Sequence, residues 1–276
     1  VTGGLAAVAR RRRGLDQLES SHEGQPGGPV LAGGLPAAVR QATLAALCRA
    51  YADLLGGRTA LVTQTLADAQ LLQEVPAVAD ARWQATDFTA SVVDCRGGLE
   101  HVERELWTNN RRNERNRGLK RGCVLAVETD PAVVQEWYPL YRRVAVAWAQ
   151  DPVPAALVAG ALRRAPERFL MTTCRRDGEL LGGHVLYRWD DRLVAWQSAV
   201  RPESLRELFT TTLLYWQDVT VTCTEGRQAL DFGGNVGRDS LADFKRRCGG
   251  RPEPRRQLVA TSRLGRLLRG VRGRLR

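Results

Sequence analysis

Lysine occurs only twice in this 276-residue chain, at Lys120 and Lys245; every other one of its 41 basic residues is arginine. An ammonium is a compact charge on a flexible stem that can approach a single oxygen or carry a proton, whereas a guanidinium is a planar fork that hardly titrates. Lys245 is therefore either needed as a lysine or kept by chance. It follows Leu230-Asp-Phe-Gly-Gly-Asn-Val-Gly-Arg-Asp-Ser-Leu-Ala-Asp-Phe. Within that run Asp231 can accept a proton or anchor the turn by hydrogen-bonding nearby amides. Gly233, Gly234 and Asn235 give the backbone room to approach a ligand, or simply make a turn. His184 lies inside a strand pattern, the setting of a packing histidine.

A second concentration of charge holds Arg111, Arg112, Arg115, Arg117, Lys120 and Arg121, interrupted by one acid, Glu114. Such density suits the phosphates of a tRNA or nucleotide, bound in a salt-dependent way; a solvated helix face is the alternative. Only Trp107 adjoins the run, so base stacking has little support. The net charge of +11 also points to an anionic partner, against a general drift toward arginine and alanine. From Arg255 to Arg276, Leu264, Leu267, Leu268, Val271 and Leu275 share one helical face among arginines. That tail suits docking on the protein body or a peripheral contact with an anionic membrane.

Six scattered cysteines form no Cys-x-x-Cys pair and the three histidines are isolated, so neither a zinc site nor a disulfide framework is expected. No apolar run approaches the ~18 residues of a membrane span. Val1 to Arg13 places its apolar stretch before its charges, the reverse of a signal peptide. A reducing cytoplasm is the expected compartment.

The elements that must position these residues follow from periodicity and turn chemistry. Residues 1–34, rich in glycine and charge, read as a disordered lead-in. Helical spacing is expected over Pro36–Leu55, Leu99–Gly118, Pro131–Trp148 and 155–164. Strands are expected at Thr59–Thr65, Thr89–Asp94 and Cys123–Glu128. Phe169–Cys174, Leu180–Trp189 and Leu193–Val200 read as antiparallel strands joined at Asp177-Gly178 and Asp190-Asp191. A helix over Leu205–Val221, a strand over Gln228–Phe232 and a helix over Ser240–Arg247 complete the order. Ser240 as N-cap with Asp243 at the third helical position makes a capping box. The fold class is therefore α/β (α+β), a mixed sheet flanked by helices. Gly233-Gly234 falls at a strand end, where ligands often lie in such sheets.

Asp231-Phe-Gly-Gly234 followed by Leu241-Ala-Asp-Phe-Lys-Arg-Arg-Cys-Gly249 resembles the closing motif of the FemABX-like proteins of the GNAT superfamily, which include the BioF2-like acetyltransferase domain. The basic run Asn110–Gly122 is similar to that family's helix entering its second lobe, and Gly178-Glu-Leu-Leu-Gly-Gly-His184 to its central hairpin. Together they cover about residues 88–260. The resemblance implies two GNAT-like lobes: a shortened first lobe with the basic helix over 35–122, a second over 123–250, and the basic tail over 251–276.

It also implies a transferase moving an acyl or aminoacyl group from acyl-CoA or aminoacyl-tRNA onto an amine, with no permanently bound cofactor. The acceptor class is a cell-wall precursor, such as one of peptidoglycan, or a natural-product intermediate. Phe244 and Lys245 match a pair near the donor in that family. Lys245 is then expected to stabilise charge at the reacting centre or to hold a donor phosphate, and Asp231 to orient the amine. Where many GNAT proteins carry a glycine-rich phosphate loop, this chain has Val200-Arg-Pro-Glu-Ser-Leu-Arg206, leaving Arg201 and Arg206 to meet phosphate. The competing reading is a non-catalytic, basic nucleic-acid-binding protein that needs the arginine run alone.

Overall fold

The computed structural model describes residues 2–12, 14–20, 25–148, 150–235 and 237–267. In chain order the elements are β1 (Gly3–Gly4), β2 (Val8–Arg12), β3 (Leu15–Glu19), β4 (Val30–Leu31), α1 (Ala37–Asp53), β5 (Thr59–Leu66) and α2 (Ala69–Val78). β6 (Trp83–Asp94), α3 (Gly98–His101) with a π-helical continuation over Val102–Leu106, α4 (Asn109–Lys120), β7 (Val124–Glu128), α5 (Val133–Ala147) and α6 (Ala155–Arg164) follow. Then come β8 (Phe169–Arg176), β9 (Glu179–Trp189), β10 (Arg192–Val200), α7 (Ser204–Glu207), α8 (Thr210–Thr224), β11 (Ala229–Gly234), α9 (Asp239–Arg247) and β12 (Arg251–Thr261).

The chain divides into two compact units, Val1–Thr89 with Pro254–Arg276, and Ala90–Glu253. In the first, β2 pairs antiparallel with β3, β3 parallel with β5, and β5 antiparallel with β12. α1 and α2 cover this sheet through Leu44, Cys48, Tyr51, Leu71 and Val75. Residues 1–34, expected to be disordered, thus contribute strands: β2 and β3 satisfy their backbone groups by pairing, which glycine and charge content alone do not reveal. The expected tail is likewise corrected. Arg255 is buried and donates to the Ala67 carbonyl, and Arg256 pairs with Asp87, so the segment to Thr261 is a strand. Leu268, Val271 and Leu275 lie outside the described residues, as does most of the amphipathic face expected there. No helix among the described residues is long and apolar enough to cross a membrane.

The second unit holds a mixed sheet in the order β6-β11-β10-β9-β8-β7. Its hairpins turn where the sequence places them: Asp177, Gly178 and Asp190 have positive φ, the conformation that tight turns require. On one face, α5 and α6 bury Trp137, Tyr141, Val158 and Leu162 against β8 to β10. Trp137 stacks on Tyr141 at 4.7 Å and donates to the Gly183 carbonyl at 2.9 Å. α8 covers the other face with Tyr215 and Val219 over Leu186, Leu193 and Leu230. The basic helix α4 belongs to this unit rather than to the first.

Two local expectations change. The helix expected over Leu205–Val221 breaks at Phe209, whose φ of 55° ends α7 and begins α8. The capping box at Ser240 does not form: Arg238 occupies the N-cap without a side-chain bond, and Asp243 pairs with Arg246 and Arg247 instead.

α4 meets α8 across Gly118. A Cβ there would lie 2.6 Å from the Leu208 carbonyl oxygen and 2.7 Å from Leu213 Cδ1. Gly→Ala within a helix ordinarily gains up to about 1 kcal/mol. Here overpacking against fixed backbone reverses the sign, and Gly118→Ala is expected to destabilise by about 1–2 kcal/mol. A urea midpoint equal to or above wild type would contradict it.

Candidate functional site

β10 and β11 run parallel for only three residue pairs, Arg192–Val194 against Ala229–Asp231. Beyond Val194, β10 stays with β9 as far as Val200 opposite Gly182, with a bulge between Ala195 and Gln197. β11 instead continues toward β6, where Gly234 faces Ala90 after a register shift that follows Asp231. The two strands therefore part, leaving a cleft between Trp196–Val200 and Phe232–Gly234. A sheet opened this way exposes backbone groups to whatever enters.

The β11 wall is fastened from both sides of its backbone. Asp231, buried to 1% exposure, accepts the Gly233 N–H at 2.7 Å, and Gly233 takes a φ of +70° that glycine adopts without strain. Lys245 Nζ donates to the carbonyls of Phe232, Gly233 and Gly234 at 2.8, 3.1 and 2.8 Å. An ammonium has three N–H donors, so all three are engaged. This corrects the expectation that Lys245 reaches the reacting centre or a donor phosphate: a free donor would require giving up a carbonyl. It also explains why the residue is lysine, since a planar fork cannot converge three donors on three adjacent carbonyls. Burial lowers Lys245 to about 8, with the Asp231 charge opposing that shift. A depressed value here had no signal in the sequence.

The other expected site residues divide. Phe244 lies 5.1 Å from Tyr215, centroid to centroid, beneath the Arg111 guanidinium at 4.4 Å. Asn235 accepts from Ser91 Oγ at 3.3 Å. Arg201 is turned away from a phosphate role, its Nε donating to the Leu180 carbonyl and its guanidinium pairing with Glu179. Arg206 is exposed on α7. Half of the basic run is engaged by the protein itself: Arg111 bonds Glu114 and Thr212, Arg115 is buried over Trp216 at 4.2 Å and bonded to Glu103, and half-buried Arg112 donates to the carbonyls of Glu103 and Arg104. Arg117, Lys120 and Arg121 remain exposed.

Three residues here escaped the sequence, Tyr215, Asp218 and Arg176, whereas His184 is the packing histidine expected of its strand. Tyr215 packs 4.2 Å from Phe232 and 5.4 Å from His184, and burial pushes its phenol up. His184 is buried with Nδ1 2.6 Å from Asp218 Oδ2, while Thr172 donates to Asp218 Oδ1 at 2.6 Å. Where α7 ends, an open pocket of about 400 Å³ is lined by Arg121, Arg176, Glu207 and Leu208. Arg176 arrives from the end of β8, a strand position carrying no motif.

Residues 108–246 match the family model described as an acetyltransferase (GNAT) domain. A comparison with curated protein sequences finds no match. Among solved structures, the C-terminal DUF2156 domain of an Agrobacterium fabrum protein is similar with a TM-score of 0.65 at 12% identity, over 95% of this chain and 82% of that one. FemX is similar with a TM-score of 0.61 at 11% identity, over 92% and 88%. L-PGS from Bacillus licheniformis gives 0.61 at 11% identity, over 95% and 82%. At these identities the likeness is one of fold.

Proposed function

The chain belongs to the GNAT acetyltransferase family, and from that premise we propose that it transfers an acyl or aminoacyl group from a phosphate-bearing donor, acyl-CoA or aminoacyl-tRNA, to an amine. The observation that carries this reading is the parting of β10 and β11 after Val194 and Asp231, with one wall fastened by Asp231 and Lys245. The amine nitrogen attacks the donor carbonyl carbon. A C–N bond forms, the thioester C–S or ester C–O bond breaks, and the proton the amine gives up ends on the departing sulfur or ribose oxygen, which leaves as a thiol or hydroxyl. The tetrahedral oxyanion in between needs donors held in advance of the reaction. Lys245 and Asp231 act on that step through the backbone they hold.

Arg121 and Arg176, which line the 400 Å³ pocket together with one acid, Glu207, support a donor phosphate there. The side chains there replace the absent glycine loop. The resemblance to FemABX-like proteins, and the shared fold with FemX, favour an aminoacyl donor and an acceptor from a cell-wall precursor or a natural-product intermediate.

The test is to incubate the protein with radiolabelled aminoacyl-tRNAs and, separately, with labelled acyl-CoAs in a cell extract. Label is expected to pass to an amine from one pool only, and Arg176→Glu is expected to raise the donor KM at least about tenfold. Transfer from neither pool would sink the reading.

A further inference from the structure

α5 begins where β7 ends. β7 pairs antiparallel with β8, β8 with β9 and β9 with β10, so β7 points opposite to β10. The helix returning from β7 therefore brings the residue that caps its C-terminus, Trp148, to the end of the sheet where β10 and β11 part. Arg238 reaches that same end from the other arm, in the turn after β11 closed by its own N–H to the Asn235 carbonyl at 2.9 Å. The two meet: the Arg238 guanidinium lies 4.9 Å from the centroid of the Trp148 ring.

Both side chains are unusual for their surroundings. Trp148 is 43% exposed, although a large aromatic exposed at the mouth of a cleft is a common anchor for a bound molecule. Most described arginines nearby are committed, Arg246 and Arg247 to Asp243 and Arg201 to Glu179. The Arg238 guanidinium rests on the Trp148 ring, and its side chain makes no hydrogen bond or ion pair among the described residues. A ring that holds the plane of a guanidinium leaves the in-plane N–H groups along its edge available, and that edge matches a carboxylate or a phosphate bidentately.

We propose that Arg238, held on Trp148 across the mouth of the β10–β11 cleft, is a specificity-determining residue that reads an anionic group, a carboxylate or phosphate, on the incoming amine. Calling that molecule the acceptor rests on the acyltransferase reading above; the binding itself does not.

Equilibrium binding to the full chain, by titration calorimetry, tests it with two matched pairs of probes: phosphoethanolamine against ethanolamine, and glycine against glycinamide. Wild type is expected to bind the anionic member of at least one pair about tenfold or more tightly, and the pair that shows it tells phosphate from carboxylate. Arg238→Gln is expected to erase that preference while leaving the weaker neutral probe unchanged, and Arg238→Lys to restore only part of it. Trp148→Leu is expected to weaken the preference without changing the melting temperature. Lack of any anion preference in wild type, or its survival in Arg238→Gln, overturns the proposal. Because no turnover is measured, a failure here is distinct from a failure of label transfer.

Discussion

Lys245→Met is expected to lower the transfer rate about a hundredfold, the scale set by an ångström-sized displacement of a reacting framework, and to lower stability by about 1–3 kcal/mol. Two opposing terms set the second figure. Removing the ammonium leaves three carbonyls without their donor, at about 1–3 kcal/mol for each that water cannot reach. It also removes the penalty of burying a charge, which the fall from 10.5 to about 8 places near 3 kcal/mol.

The pH dependence separates this role from a general base. Between pH 8 and 10.5 the unfolded chain holds a proton that the folded chain has lost, so wild-type stability relative to Lys245→Met rises with pH across that window and is lower below it. Activity moves the other way. The carbonyls need the ammonium, so transfer should fall as pH rises through about 8, whereas a base would gain. Activity rising through pH 8, with Lys245→Met flat, would show that the lysine takes a proton from substrate.

The position of Lys245 was readable in the sequence and its partner was not. A lone lysine among arginines marks a place where a compact cation is wanted, but backbone carbonyls thirteen to eleven residues earlier have no residue type to reveal them. The hairpins from Phe169 to Val200 were legible because Asp177-Gly178 and Asp190 supply the positive φ that such turns need. β12 was not, since Arg251-Pro-Glu-Pro-Arg-Arg reads as a charged tail until Ala67 and Asp87 take up Arg255 and Arg256. α2, with Pro76 inside it, broke the helical pattern that would have revealed it. The arginines of α4 show the same limit from the other side. Arg111 and Arg115 rest on Phe244 and Trp216, partners more than a hundred residues away, so local composition made a packed face look like a phosphate surface.

Asp218→Ala is expected to cost about 3–5 kcal/mol and to leave little folded protein, because it strips two buried partners at once. Asp218 and Thr172 are fully buried and His184 nearly so, and the carboxylate accepts from Thr172 Oγ1 while its other oxygen meets His184 Nδ1. Asp218→Asn keeps the volume and one acceptor oxygen. It should cost less, about 1–2 kcal/mol, because the amide pairs both partners in either orientation, its NH2 facing the Thr172 hydroxyl or His184 Nδ1, and nitrogen NMR of His184 tells the two apart. Replacing all three residues by apolar ones, Thr172→Val with His184→Phe and Asp218→Leu, is expected to recover much of the stability lost by the single change, since a core without polar groups leaves none unpaired. If function needs only a packed floor beneath Tyr215, which touches both His184 and Phe232, that triple variant keeps transfer activity. If it needs the polar cluster to fix the Tyr215 ring against the cleft wall, activity stays lost after stability returns. Melting curves and transfer rates on the same three variants decide between the two, and an Asp218→Ala protein as stable as wild type would refute the cluster's structural role altogether.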